Sequence, residues 1–221
     1  MIGFMIVGTI LNTRLKSKFR QYSQIQISSN MSGKDIAEKM LADHNINDVR
    51  ITSIDGKLTD HYNPINKTVN LSSEVFNGRN ISSAAVAAHE CGHAVQHATA
   101  YKWLEIRSQM VPLVNYSNKI MSLIFLLGIF GITFLKIFSF SKLILLFVTL
   151  QIIVTLFTII TLPVEFDASR RALLWLKSSK TTNAKEIMLT NNALNWAAST
   201  YIIAAMAAAT YLLYYISLLK D

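Results

Sequence analysis

Three long apolar stretches constrain what this chain of 221 residues can fold into. They cover residues 121–137, 143–162 and 200–219, and the only charged side chain among them is Lys136. Each is close to the roughly 20 residues that an α-helix needs to cross a hydrocarbon core about 30 Å thick. A soluble chain this short could not bury three such helices, and only 15% of its residues are charged, against about 25% in a soluble domain. The stretches therefore predict three transmembrane helices.

A shorter apolar segment, residues 1–11, precedes a cluster of basic residues between positions 14 and 20. A secretory signal has its basic residues before the apolar core, and a small-residue cleavage site after it. Because the order is reversed here, we predict a short N-terminal membrane anchor in addition to the three full spans.

The polar segment after this anchor has the patterns of a small α+β domain. Ser32 is a suitable N-cap for a helix that ends near Asn45. Residues 49–54 and 67–71 resemble short strands, and an Asp-Gly turn follows the first of them. We therefore predict an α-helical membrane protein with a small α+β, zincin-like metallopeptidase domain. Its parts are an anchor at 1–13, the α+β domain at 14–118, a transmembrane hairpin at 119–162, a polar segment at 163–199 and a C-terminal span at 200–221.

Within the predicted domain, the sequence His89-Glu90-Cys91-Gly92-His93 has the spacing of a metal site on an alanine-rich helix. Histidines at positions i and i+4 lie on one face of a helix. Both can bind a single Zn²⁺, and the glutamate between them then lies beside a water that zinc makes acidic enough to lose its proton near pH 7. A match of five residues also occurs by chance, so a third ligand is needed to favour metal binding.

The predicted hairpin supplies a third ligand. It returns the chain, near Pro163, to the compartment that contains the H-E-x-x-H helix, and we expect this proline to end the span or to break its helix. Glu165 follows at the expected start of a new helix. Two histidines and one glutamate are a known catalytic set of zinc ligands. The alternative is that Glu165 is a juxtamembrane residue paired with a neighbouring arginine.

Two strings of the sequence carry a family resemblance. A-A-H-E-C-G-H-A-V-Q-H and, after the hairpin, V-E-F-D-A-S-R-R-A-L resemble the YugP-type neutral zinc metallopeptidases over nearly the whole chain. More distantly, E-F-D-A-S is similar to the E-F-x-A-D stretch of HtpX-like and prenyl-processing membrane peptidases. The resemblance implies that Glu165 is the third zinc ligand. Ser169 stands where those peptidases have an aspartate, and Asp167 is a candidate to replace it beside the ligands.

Several further residues are candidates for supporting roles, and each has a structural alternative. His97 lies one turn beyond His93, about 6 Å along the helix axis, so we predict a packed residue or a contact of a ligand rather than a fourth ligand. His61 or Tyr62 donates a hydrogen bond to the developing oxyanion, or is a surface turn residue. Arg170 holds a carboxylate of the site, or faces lipid headgroups.

Two other features also leave alternatives open. Cys91 is predicted to be a buried thiol that points away from the histidine face, rather than a soft metal ligand. The strand at 67–71 either binds an extended peptide substrate along its edge or lies inside the sheet.

Together these features predict a membrane zinc endopeptidase of the gluzincin kind that acts on a peptide or protein substrate. The formal net charge is +8, but no nucleic-acid-binding module accompanies it, and the sequence indicates no oligomeric state. Basic residues beside the spans favour a metal domain on the cytoplasmic side of a bacterial inner membrane. One alternative is a non-catalytic membrane protein that uses zinc structurally or as a sensor. An intramembrane protease is disfavoured because polar residues surround the motif.

Overall fold

The computed structural model describes residues 2–129 and 140–219, and it is mostly helical with one small sheet. The end of the first predicted span and the turn of the hairpin fall at 130–139, outside the described residues. The helices are α1 (Ile2–Tyr22), α2 (Gly33–Asp43), α3 (Ser73–Asn77), α4 (Ile81–Ala98), α5 (Lys102–Ile129), α6 (Phe140–Ser178) and α7 (Ala184–Ser217), and the strands are β1 (Arg50–Ile54), β2 (His61–Asn63) and β3 (Thr68–Ser72).

Helix α2 begins where the sequence predicts. The Ser32 hydroxyl accepts a hydrogen bond from the Asp35 N–H, and the Asp35 carboxylate accepts one from the Ser32 N–H. This reciprocal capping box satisfies two backbone donors that the first turn of a helix would otherwise leave free. The apolar face of α2, which includes Ile36 and Met40, is completely buried.

The sheet has the order β1-β3-β2, so the strand predicted at 67–71 is internal. β3 pairs in parallel with β1 and antiparallel with β2, with Val69 opposite Ile51 on one side and opposite Tyr62 on the other. Both edges of β3 are therefore occupied by neighbouring strands. β2, which contains His61 and Tyr62, is an edge strand and packs against α4.

Helices α5, α6 and α7 are long and apolar enough to cross a membrane, over Lys102–Leu127, Ser141–Ser178 and Ala184–Ser217. The first of these ranges begins well before the predicted start at residue 121. Residues 2–13 of the predicted N-terminal anchor form the first half of α1, which packs against α7. Their role as an anchor stays a prediction.

Helix α6 runs through Pro163 without a break, so the predicted break at this proline is wrong, as is the placement of Glu165 at a helix start. A proline inside a helix removes one hydrogen bond and costs ~3 kcal/mol or more. That cost is offset here because α6 is packed on several sides, by α4, α5 and α7. The long apolar stretch and Glu165 therefore belong to one continuous helix, which packs against α4.

The core of the described residues surrounds α4. Ala84, Ala85, Ala87 and Ala88 are all buried, as are most other residues of this helix. Alanine side chains are small enough for α2, α6, α7 and the sheet to approach α4 closely. α4 is therefore the central element of the fold, and it carries the H-E-x-x-H motif.

Candidate metal centre

Both histidines of the motif lie on one face of α4. The helix begins at Ile81 with Asn80 as its N-cap, whose side-chain oxygen accepts a hydrogen bond from the Ser83 N–H. Two turns later, the rings of His89 and His93 lie 4.8 Å apart between centroids, edge to face. The i, i+4 spacing thus places two imidazoles next to each other, as the sequence predicts.

Gly92 allows α6 to pass directly over this part of α4. A Cβ atom at position 92 would lie 2.5 Å from the carbonyl oxygen of Ala168, and 3.0 and 3.1 Å from the carbonyl carbon and Cα of that residue. Real Cβ atoms essentially never show such a short contact. Gly92 has a low helix propensity, but its lack of a side chain is what allows α4 and α6 to pack closely at this position.

Glu165 on α6 completes a cluster with the two histidines. Its Oε2 atom lies 3.3 Å from Nε2 of His89 and 3.6 Å from Nε2 of His93. One ligand atom from each of the three residues lies within 4.8 Å of the others. Glu165 thus lies beside the two histidines, although it is inside α6 rather than at a helix start.

The chemistry of this cluster fits a zinc ion. Glu165 is buried, and its Oε2 has no hydrogen-bond partner among the residues that the structure describes. A buried carboxylate oxygen without a partner is costly. Two imidazole nitrogens and one carboxylate oxygen are a catalytic ligand set of Zn²⁺, so the three residues could hold this metal.

The other ring nitrogen of each histidine is already engaged. Nδ1 of His89 lies 3.1 Å from the Ser169 hydroxyl, and Nδ1 of His93 lies 3.0 Å from Oε1 of Gln96. Gln96 in turn donates a hydrogen bond of 2.9 Å to Asp167. Such outer contacts orient a metal-binding imidazole and fix which nitrogen is free. They leave the two Nε2 atoms as the ligand atoms.

Asp167 therefore reaches the site through Gln96 rather than by contact with a metal ligand. Its two oxygens accept hydrogen bonds from Arg170 at 2.7 Å and from Arg171 at 2.5 Å. Arg170 is thus engaged with Asp167, on its own helix, and most of its side chain is exposed.

Glu90 lies beside the cluster and is almost completely buried. Burial raises the pKa of its carboxyl from 4.5 to about 7, although the nearby His89 opposes the rise. Its Oε2 accepts a hydrogen bond of 3.0 Å from the backbone N–H of Tyr62 on β2. The edge strand thus fixes the orientation of the carboxyl group that the sequence assigns to proton transfer.

The remaining predicted residues lie around this centre. The Tyr62 hydroxyl lies 2.7 Å from Nδ1 of His97, so these two side chains contact each other. His61 is exposed, with Nδ1 2.7 Å from the Thr59 carbonyl oxygen, and it lines the cavity in front of the metal cluster. Cys91 is buried on another face of α4, against the Ala37 carbonyl of α2, and burial raises the pKa of its thiol.

Arg107 and Tyr201 also line this cavity, which has a volume of about 360 Å³, and neither was expected from the sequence. Arg107 of α5 has Nη2 3.4 Å from Oε1 of Glu165, and Tyr201 of α7 lines the same space. No local motif marks Arg107. Tyr201 could have been found from the sequence. It lies at the start of the third apolar stretch, and Glu165 lies just after the end of the second, so both are expected at the same membrane face.

Comparisons with known proteins agree with this centre. The family model described as "Putative neutral zinc metallopeptidase" matches residues 1–220. The chain is 36% identical, over 207 residues, to the "Putative membrane protease YugP" of Bacillus subtilis (strain 168), an alignment that covers 92% of this chain and 87% of that protein. No solved structure matches. With nearly every residue matched, and with a fitting set of zinc ligands, the chain belongs to this neutral zinc metallopeptidase family.

Proposed function

We propose that this protein is a membrane-bound, zinc-dependent endopeptidase. The proposal rests on one observation. Glu165 lies beside His89 and His93, next to Glu90, and all four residues line one cavity. A purely structural zinc site usually has four protein ligands and no need of a base. Three candidate ligands, a neighbouring carboxyl group and room for a peptide are what hydrolysis requires.

The residues of the chain have separable roles in the proposed mechanism. His89, His93 and Glu165 would hold zinc, which would supply a Lewis acid and lower the pKa of water at the site. Glu90 takes a proton from the attacking water and later gives it to the leaving amine. The Tyr62 N–H keeps the Glu90 carboxylate in position for both transfers.

Arg107 and Tyr201 extend this proposal to the substrate. Both line the cavity from helices other than the one with the motif. A guanidinium or a phenol in this position can donate a hydrogen bond to the oxygen of the peptide carbonyl as negative charge develops on it. We assign that role to them together with His61, which also lines the cavity, and not to the Tyr62 hydroxyl, which is engaged with His97.

The proposed location is a bacterial inner membrane, with α5, α6 and α7 as the full spans, residues 1–13 as an additional anchor and the metal centre on the cytoplasmic side. Basic residues at 14–20 and after the second span favour this orientation. Cysteines introduced into the exposed β2–β3 turn should be shielded from a membrane-impermeant thiol reagent in intact cells.

The test of the activity uses the purified full-length protein in lipid vesicles with casein as the substrate. We expect cleavage that a zinc chelator abolishes and added Zn²⁺ restores. Glu90→Gln is the matched control, because it keeps the shape of the side chain and the ligand set but removes the base. Zinc bound at one ion per chain with no cleavage by the wild type would instead support the non-catalytic role. Full activity of Glu90→Gln protein would refute the mechanism.

A further inference from the structure

A stripe of residues runs along α5 from the metal cavity toward the apolar end of the helix. Its positions are separated by alternate steps of four and three residues, so they share one face. All but the first are exposed. We call these residues the α5 stripe: Leu104, Ser108, Val111, Asn115, Asn118 and Ser122.

The two ends of the α5 stripe have different surroundings. Leu104, Ser108 and Val111 line the metal cavity. Asn115, Asn118 and Ser122 continue the same face beyond the cavity. The apolar part of this helix is mostly exposed. The face of α5 that lines the cavity therefore continues with polar rather than apolar residues.

The depth of this track follows from α6. Residues 143–162 of α6 are uncharged and about 30 Å long. Arg107 reaches Glu165 just beyond this stretch, and α5 packs against α6. We take the two helices as the antiparallel arms of the predicted hairpin. Asn115 and Asn118 then lie about 12 and 17 Å further along α5 than Arg107. Both amides, with Lys119 beside them, are thus level with the apolar stretch of α6, and all three side chains are exposed.

Exposed amides at that depth require a partner. An unsatisfied polar group in hydrocarbon is costly, and polar residues of membrane helices almost always face protein or water. A peptide that is to be cut must be extended at the metal, so its backbone is unwound just before it. Asparagine both donates and accepts hydrogen bonds, which is what an unwound backbone needs in lipid.

Resting on the proposed function, we infer that the substrate is a membrane protein whose transmembrane segment docks on the α5 stripe and enters the metal cavity from the bilayer. Asn115 and Asn118 bind the unwound part of that segment. A second copy of this chain is the other possible occupant. It is disfavoured because the stripe is continuous with the cavity, so a second copy would cover the entrance of the site.

The test uses full-length Glu90→Gln protein in vesicles, so that binding is read without cleavage. The probe is a single transmembrane helix that continues into a casein segment. We expect a photoreactive residue at Val111 or Ser122 to cross-link to the probe at least tenfold more than one at Tyr116, an exposed residue on another face of α5. Replacing Asn115 and Asn118 with leucine should lower the cross-linking at least fivefold. Equal cross-linking at Tyr116, or cross-links between copies of the chain instead of to the probe, would overturn the inference.

Cleavage then separates this inference from the proposed function. In the active protein, the double substitution Asn115→Leu and Asn118→Leu should lower the ratio of anchored-probe cleavage to soluble-casein cleavage about tenfold, while Tyr116→Leu leaves the ratio unchanged. An unchanged ratio in the double variant would refute docking and leave the peptidase activity standing. Cross-linking without any cleavage by the wild type would support docking and refute the activity.

Discussion

Gly92→Ala should separate the geometry of the metal centre from the stability of the fold. The added methyl carbon would lie 2.5 Å from the Ala168 carbonyl oxygen, whereas ordinary contact begins at 3.4 Å. The obstructing atoms belong to the backbone and cannot rotate away, so α4 and α6 must part by about 1 Å. Glu165 moves with α6, and the two histidines move with α4.

This shift has two consequences that separate assays can measure. Overpacking costs roughly 1–3 kcal/mol, but alanine returns about 1 kcal/mol because it favours the helix more than glycine does. The net loss of stability is therefore only about 0–2 kcal/mol. A misplacement of about 1 Å at a catalytic centre can cost roughly 100-fold in rate. We expect casein cleavage to fall about 100-fold with a melting temperature close to that of the wild type.

The assays are casein cleavage, zinc affinity by competition with a chromophoric chelator, and thermal unfolding in the same vesicles. Gly8→Ala is the matched control, because a Cβ atom at that helical glycine would meet nothing within 4 Å. It should behave as the wild type in all three assays. Gly92→Ala protein with wild-type zinc affinity and activity would show that the close approach of the two helices does not set the ligand geometry.

Three further predictions concern the ligands and the base. Glu165→Ala should weaken zinc binding by more than the roughly 10–100-fold that is typical of an outer contact, and unchanged affinity in equilibrium dialysis would remove Glu165 from the ligand set. Ser169→Ala should lower zinc affinity within that 10–100-fold range by freeing Nδ1 of His89, and Ser169→Asp should restore it. The pKa of Glu90 is raised in the folded protein from 4.5 to about 7, so its contribution to stability is present below pH 4.5 and is lost as the pH rises through 7. Metal-free wild-type protein should therefore lose about 3 kcal/mol relative to Glu90→Gln protein between pH 4.5 and pH 7, and parallel melting curves across that range would contradict the raised pKa.

Much of the candidate site could be predicted from the sequence because it depends on two simple geometries. Helical periodicity places His89 and His93 on one face, and a membrane hairpin returns Glu165 to the same side. The family is confirmed by the comparisons. The assignment of individual catalytic and ligand roles stays a prediction, which the variants above test.

The remainder depends on packing that no local pattern reveals. The rule that proline ends a helix fails at Pro163, where α6 continues as one helix packed against its neighbours. Gly92 is unfavourable in an isolated helix, and its role becomes clear only from the close packing of α6 against it. Arg107 reaches the cavity from a part of the chain that no local motif marks, and only the tertiary arrangement of α5 brings it to Glu165.

The unbroken course of α6 has a consequence for the lipid. A bilayer thicker or thinner than the apolar length of a helix changes the tilt of that helix. About 20 Å separates the middle of residues 143–162 from Glu165, so a change of tilt of about 3° moves Glu165 by about 1 Å. His89 and His93 lie on a helix outside the apolar stretches, so a tilt of α6 relative to α4 changes their distance from Glu165. Acyl-chain length should therefore tune the metal centre, with the best ligand geometry in a bilayer of one particular thickness.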